Sequence, residues 1–271
     1  MERVAAVVVC HNSAAVIDRC LNDLNSQSRP VDEIVVVDSG STDTNYLQRL
    51  EDRDNIRLLR RKNIGFAQAN NEAVACLLQP ADVVVFVNPD AFLSPDTVAI
   101  GLSRLKNRPE LAVVSGRLLG WDLEKNCPGG RIDSAGIFRK WYGRWYDRGQ
   151  GEIDRGQYET RCDVPALCGA LMICRSEALA RFDGVIFDSD FFLYKEDIEL
   201  SLRLRKYGWS LEYDPGITAY HCRGWQRNRK KIDQQLKLHA AESELLLYKK
   251  HPSPYMAWAL FKWLLVRLFH I

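Results

Sequence analysis

Val4-Ala5-Ala6-Val7-Val8-Val9-Cys10 is an unbroken apolar run that stops at His11-Asn12. A strand exposed on one face would alternate apolar and polar residues, so an unbroken run predicts a strand buried on both faces. Glu33–Val37 repeats the pattern and ends in the turn Asp38-Ser39-Gly40-Ser41-Thr42-Asp43. Asp82–Val87 does so again, ending at Asn88-Pro89-Asp90. Between these runs, 13–27, 47–52, 67–78 and 97–106 carry helical spacing, and 56–59 and 111–115 read as further strands. Short alternation of strand and helix predicts an α/β protein with a mainly parallel central sheet. In such sheets ligands bind beyond the carboxyl ends of the strands. Cys10-His11-Asn12, Asp38–Asp43 and Asn88–Asp90 all fall there.

The pattern breaks between Leu119 and Asp163, a segment rich in Gly, Arg, Trp and Tyr with weak periodicity. It reads as a long excursion from the sheet, of the kind that often serves as a lid or binding surface. Trp141 and Trp145 sit there among arginines and could stack on bases or equally on sugar faces. Order returns at 166–174, at a helix over 176–181, and at strand-like 210–213 and 217–220. A polar helix near 232–250 and an apolar one over 254–271 close the chain.

The second informative stretch is Phe191-Phe192-Leu193-Tyr194-Lys195-Glu196-Asp197-Ile198-Glu199-Leu200, with three carboxylates in four positions. Acidic residues favour helix starts through the helix dipole. Crowding and burial beside aromatics would also raise the cost of ionisation, which suits a general base or a metal site.

Composition narrows the function. The chain has 271 residues, 46% hydrophobic and 27% charged, with a net charge of +2. That describes a globular protein with a sizeable core. From Arg223 onward ten basic residues face three acidic ones, so the first 222 residues are slightly acidic, which argues against nucleic-acid binding. Eight cysteines form no CxxC pair; most lie in apolar runs, and a reducing cytoplasm is expected. The spacing of Cys162, Cys168 and Cys174 is too wide for an ordinary structural zinc site. No signal peptide is read at the N-terminus. Neither GxGxxG after the first strand nor GxxxxGK[ST] occurs, which weighs against a dinucleotide oxidoreductase or a P-loop enzyme.

Asn88-Pro89-Asp90 reads either as a turn with Pro at its second position or, functionally, with Asp90 as an oxygen ligand to Mg²⁺ or Mn²⁺. His221, after its strand, could be a second ligand or a structural histidine. Asp38 could accept hydrogen bonds from a nucleobase or ribose, Gly40 allows close backbone approach, and the loop Asn63-Ile64-Gly65-Phe66-Ala67-Gln68-Ala69-Asn70-Asn71 could contact sugar or phosphate.

Taken in order, Cys10-His11-Asn12, Asp38–Asp43, Asn63–Asn71, Asn88-Pro89-Asp90, Cys168-Gly169-Ala170, Phe182-Asp183-Gly184, Glu196–Leu200, Gly208-Trp209 and His221 resemble the family 2 glycosyltransferases of GT-A fold. Asn-Pro-Asp in place of Asp-x-Asp, the Asn-x-Gly-Phe-Ala loop and Gly149-Gln150-Gly151 running to Gly156 resemble the bacterial rhamnosyltransferase branch. The resemblance implies an inverting transfer from dTDP-L-rhamnose to a glycan or polyprenyl-linked saccharide, with UDP- and GDP-sugars as alternative donors and a non-catalytic scaffold as the alternative class. It implies Asp197 as base and Glu196 as its neighbour and acceptor contact. Cys10, His11, Asn12, Asp38, Gly40, Asn63, Gly65, Asn70, Asn88 and Asp90 are implied on the nucleotide sugar, and Trp141, Trp145, Gly169 and Ala170 on the acceptor. Residues 1–225 would be the glycosyltransferase domain and 226–271 a C-terminal helical segment, either lying in a membrane interface or packed on protein. The expected location is the inner face of the cytoplasmic membrane, with the basic run Arg223–Lys231 adding attraction to anionic lipid.

Overall fold

A computed structural model describes residues 2–51, 53–222 and 234–269. The basic run Arg223–Lys231 lies outside the described residues. The strands are β1 (Val4–Cys10), β2 (Glu33–Ser39), β3 (Ile56–Arg61), β4 (Val83–Val87), β5 (Ala91–Leu93) and β6 (Leu111–Asp122). They continue with β7 (Cys127–Ser134), β8 (Ile137–Arg139), β9 (Trp145–Asp147), β10 (Cys162–Asp163), β11 (Leu171–Arg175) and β12 (Ser210–His221). The α-helices are α1 (Ile17–Asn25), α2 (Asn45–Glu51), α3 (Phe66–Ala75), α4 (Thr97–Asn107), α5 (Ser176–Leu179), α6 (Glu196–Lys206), α7 (Gln234–Lys250) and α8 (Met256–Phe269).

The main sheet runs β10-β12-β6-β11-β4-β1-β2-β3, with β5 on β12 and β7 on β6. Its heart is parallel: β3, β2, β1 and β4 run together, as do β6 and β12. Antiparallel β11 joins these two blocks.

Every residue of β1, β2 and β4 is buried, as their unbroken apolar runs require. Successive side chains of a strand point to opposite faces. Val4, Ala6, Val8 and Cys10 accordingly join the core with Ile17, Cys20, Leu21 and Leu24 of α1. Val7 and Val9 join the other core with Ala67, Ala69 and Ala73 of α3 and Leu200 and Leu204 of α6.

The stretch from Leu119 to Asp163 is more ordered than its weak periodicity suggests. Strand β6 runs on to Asp122 and folds back antiparallel onto β7, with Leu119 opposite Ile132. A separate hairpin pairs β8 with β9, Ile137 facing Asp147. The segments 210–213 and 217–220 are one strand, β12, whose register on β6 slips between Asp214 and Thr218.

The C-terminal helices pack on the domain. Leu247, Tyr248 and Ala259 are buried in the same core as β1. Tyr248 Oη donates to the Gly143 carbonyl, Ser243 Oγ donates to the Leu193 carbonyl at 2.8 Å, and Lys250 Nζ pairs with Asp188 and Asp190 at 2.6 Å. Among the described residues no helix is long and apolar enough to cross a membrane.

Candidate active site

The loop after β4 carries Asn88 and Asp90, and short β5 then pairs antiparallel with β12 so that Ala91 faces His221. That register brings the neighbouring Asp90 to His221: the imidazole Nε2 lies 3.3 Å from Asp90 Oδ1. The other ring nitrogen, Nδ1, lies 2.8 Å from Oδ2 of Asp133, a residue of β7 that is fully buried. A histidine whose Nδ1–H is held by a carboxylate has a fixed tautomer and an aimed Nε2, the arrangement usual for metal-ligating imidazoles. Burial alone would lower the His221 pKa, but Asp90 and Asp133 outweigh it and carry the group up to about 9. Burial would likewise raise Asp90, and the charge and hydrogen bond of His221 reverse this and hold its carboxyl below the usual range.

A divalent cation fits these residues. Asp90 supplies oxygen, His221 an oriented nitrogen, and Asn88 Oδ1 is a buried acceptor with no hydrogen-bond partner among the described residues. Asn88, Asp90 and His221 line one cleft of about 290 Å³. One carboxylate with one imidazole is a sufficient protein contribution for Mg²⁺ or Mn²⁺, which keep water and substrate oxygens as further ligands.

The start of α6 lines the same cleft. Tyr194 and Lys195 both adopt left-handed φ values, 70° and 71°, immediately before Glu196. Such conformations cost about 1–3 kcal/mol each and persist where their surroundings impose them. Here Phe66 N–H donates to the Phe192 carbonyl at 3.0 Å on one side, and Ser243 of α7 holds Leu193 on the other. The turn delivers Glu196 and Asp197 into the cleft. Asp197 Oδ2 accepts the Gly169 amide at 3.0 Å and Oδ1 accepts the Ile198 amide at 2.8 Å. Withdrawal from water raises the Asp197 pKa, opposed by the Gly169 amide and the Lys195 charge and assisted by the Asp147 carboxylate. A carboxylate so placed is a stronger base than a solvated one.

The three carboxylates of the acidic motif separate. Glu199 points away from the cleft, receives Arg203 Nε at 2.8 Å on both oxygens and lies 3.2 Å from His251. At about 100° per residue position 199 stands roughly 200° round the helix from Asp197, so Glu199 and Asp197 do not crowd each other.

A second cluster forms beyond β1, β2 and β3. Asn12, at φ 52°, donates its amide to Ser41 Oγ at 2.7 Å, and its Oδ1 accepts the Thr42 amide at 2.8 Å. His11 Nδ1 is 2.9 Å from the Ser39 carbonyl. His11 and Asn12 are exposed, so the cross-tied loops present polar groups to solvent.

The chain matches the family described as Glycosyl transferase family 2 over residues 5–182. It belongs to that family. A similar protein is the N-acetylglucosaminyl-diphospho-decaprenol L-rhamnosyltransferase of Mycobacterium tuberculosis, 25% identical over 261 residues, which cover 90% of this chain and 84% of the relative. The validoxylamine A glucosyltransferase of Streptomyces hygroscopicus subsp. jinggangensis is 29% identical over 44% of this chain and 29% of its own length. Among solved structures, GalNAc-T7 with UDP, GalNAc and Mn²⁺ superposes with a TM-score of 0.69 at 15% identity, covering all of this chain, which spans 57% of that one. The mannosyltransferase PcManGT of Pyrobaculum calidifontis, with GDP-Man and Mn²⁺, gives 0.63 at 20% identity over 98% of this chain and 70% of its own. The fold of this family 2 glycosyltransferase is GT-A.

Of the residues the sequence singles out, the cleft gathers Asn88, Asp90, Trp145, Gly169, Ala170, Glu196, Asp197 and His221. Others stand elsewhere. Trp141 is 85% exposed at the tip of the β8–β9 hairpin and does not line the cleft. Asn70 is buried, its Nδ2 donating to the Phe66 carbonyl within α3, so it braces the helix start. Asp38 is only 3% exposed. Its oxygens accept Ser41 Oγ, the Ser41 amide and Tyr46 Oη, and the Cys10 thiol is 3.9 Å away. Asp38 and Cys10 therefore shape the loop from beneath. Gly40 makes its close approach to protein: at φ 73° an added Cβ would lie 2.5 Å from Asn63 N. A Cβ on Gly65 would lie 2.7 Å from the Phe192 carbonyl, which ties the third loop to the acidic turn.

Two site residues escape sequence reading. Asp133 follows Pro128-Gly129-Gly130-Arg131-Ile132 in a stretch without period, and Asp147 follows Trp145-Tyr146 into the cleft. No sequence signal marks Asp133, since its polar and glycine-rich neighbours carry no pattern.

Proposed function

We propose that this family 2 glycosyltransferase is an inverting rhamnosyltransferase that uses dTDP-L-rhamnose and a polyprenyl-diphosphate-linked saccharide acceptor. The observation that carries the reading is the placement of Asp197 in the cleft that also holds Asp90 and His221. A base and a cation-binding pair in one cleft are the two groups that a direct displacement at a sugar needs. The relative from M. tuberculosis is named for L-rhamnosyl transfer to a decaprenyl-diphosphate-linked N-acetylglucosamine, which supports the donor and acceptor class.

In this reading the nucleotide lies on the loops of His11, Asn12 and Asn63, whose shape Asp38 and Cys10 maintain. Asp90 and His221 hold a divalent cation, which when bound supplies positive charge for the departing diphosphate. Trp145 offers an apolar wall to a sugar face. Asp197 takes the proton from the acceptor hydroxyl as that oxygen attacks the anomeric carbon on the face opposite the nucleotide. The Gly169 amide keeps the carboxylate aimed, and Glu196 positions the acceptor. Residues 1–225 carry these groups as the glycosyltransferase domain, and helices α7 and α8 of the C-terminal segment buttress them.

Nucleotide release across a panel of dTDP-, UDP- and GDP-sugars, with Mn²⁺, Mg²⁺ or EDTA, tests the proposal. Metal-dependent release from dTDP-rhamnose alone is the expected result. Release from a UDP- or GDP-sugar instead overturns the rhamnosyl assignment and keeps glycosyl transfer.

A further inference from the structure

Helix α8 buries one side, through Ala259 and Val266, and leaves the opposite side bare. Leu260, Phe261, Leu264 and Leu268 are exposed by 48%, 54%, 40% and 63%. At about 100° per residue these four positions fall within roughly one quarter of the helix circumference, a single apolar stripe. Arg267 is exposed on the flank of that stripe, with its guanidinium 4.8 Å from the Trp263 ring.

The stripe does not end with the helix. Phe261 touches Trp258, with ring centroids 6.2 Å apart. Trp258 meets Tyr142 edge-on at 4.9 Å, and Tyr142 meets Trp141 at 5.4 Å. These contacts join α8 to the tip of the β8–β9 hairpin, where Trp141 stands 85% exposed. Arg139, Lys140 and Arg144 are exposed on the same hairpin. Neither 137–146 nor 256–269 contains an acidic residue.

An exposed indole, an apolar helical stripe and a rim of cations without anions match the interface of an anionic bilayer. The aromatics suit the headgroup level, the leucines the acyl boundary, and the arginines and lysine the lipid phosphates. We infer that the β8–β9 tip and the outer face of α8 form one membrane-docking surface for anionic lipid. Trp145, Tyr146 and Asp147, on the returning strand of that hairpin, line the cleft. Docking would therefore set the acceptor side of the cleft beside the bilayer, a consequence that rests on the lipid-linked acceptor proposed above.

The test is flotation of the full chain with vesicles of phosphatidylcholine alone and of phosphatidylcholine mixed with phosphatidylglycerol. Three forms are compared: wild type, Trp141→Ala, and the triple variant Phe261→Gln, Leu264→Gln, Leu268→Gln. Leu78→Gln, at an isolated position 73% exposed, serves as a control. Circular dichroism confirms that each is folded, and nucleotide release is measured alongside so that loss of docking and loss of transfer are told apart. Expected are binding by wild type that favours the anionic vesicles, a loss of roughly tenfold or more in the triple variant, a smaller loss in Trp141→Ala, and none in Leu78→Gln. Equal binding by wild type and the triple variant overturns the inference, as does failure of wild type to float. A concentration-dependent dimer in wild type that the triple variant abolishes assigns the face to a second copy of the chain and also overturns it.

Discussion

The backbone amide of Gly169 donates to Oδ2 of Asp197 at 3.0 Å across the cleft floor. Position 169 is tight: an added Cβ would lie 3.3 Å from the Asp197 Cβ, so the Asp197 side chain would have to give way slightly. The glycine therefore both donates the bond and permits the approach. Gly169→Ala should fold and bind nucleotide but misplace the carboxylate. Small displacements of a reacting group can cost about 10²-fold in rate, so the turnover number should fall by one to two orders of magnitude. The Michaelis constant for the donor should stay nearly constant. A large rise in that constant with unchanged turnover would place Gly169 in donor binding instead.

Asp133 sets His221, and the consequence appears in both metal affinity and stability. Loss of a carboxylate behind a ligating histidine typically costs 10–100-fold in metal affinity, which is the fall expected for Asp133→Asn in Mn²⁺ titrations. An unchanged affinity would remove His221 from the metal site.

The same pair predicts a pH dependence for the metal-free protein. The folded pKa of His221, about 9, exceeds the ordinary value of 6.5. Its contribution is thus fully present below pH 6.5 and is lost as pH rises through about 9. At about 1.4 kcal/mol per pKa unit, up to about 3 kcal/mol is at stake. Thermal melts in EDTA should fall in midpoint between pH 6.5 and 9, and less steeply in Asp133→Asn. A midpoint that rises over that interval contradicts the charged, bracketed imidazole.

Glu199 gives a contrasting expectation inside the same motif. It is 2% exposed, bonded to Arg203 and near His251. Glu199→Ala takes the carboxylate from the partly buried Arg203 guanidinium, which keeps the Val185 and Ile186 carbonyls, so the cost should fall below the roughly 3–5 kcal/mol of a fully buried pair. Chemical denaturation should show that loss, while transfer per folded molecule stays within a few-fold of wild type. Strong loss of turnover with intact stability would place Glu199 among the catalytic groups.

How much of this was legible in the sequence follows from what each residue is buried against. β1, β2 and β4 lie inside the sheet with helices on both faces, so their composition alone reveals them. β7 contains Pro128, Gly129 and Gly130 and is exposed along its first half, which leaves no period to read. Asp133 and Asp147 went unread for that reason, since both lie in the stretch without pattern. The pairing of Asp90 with His221 was legible because both close apolar strands. Asp38 and Asn70 are tied into their own loop and helix, as a polar residue at a strand end or helix start often is, which the sequence alone does not show. Helix α8 is apolar on nearly every side, so its pattern could not say which face meets the protein. The fold resolves this by burying Ala259 and Val266 and exposing the Leu260–Leu268 stripe.

The central claim is that Asp197 is the base, and transfer by Asp197→Asn tests it most directly. Asparagine preserves size and can keep one oxygen facing the Gly169 amide, while it cannot accept the acceptor proton. Single-turnover transfer with metal and saturating donor should slow by about 10²–10⁴-fold, with nucleotide affinity by calorimetry unchanged. Near-normal transfer by that variant would contradict the account.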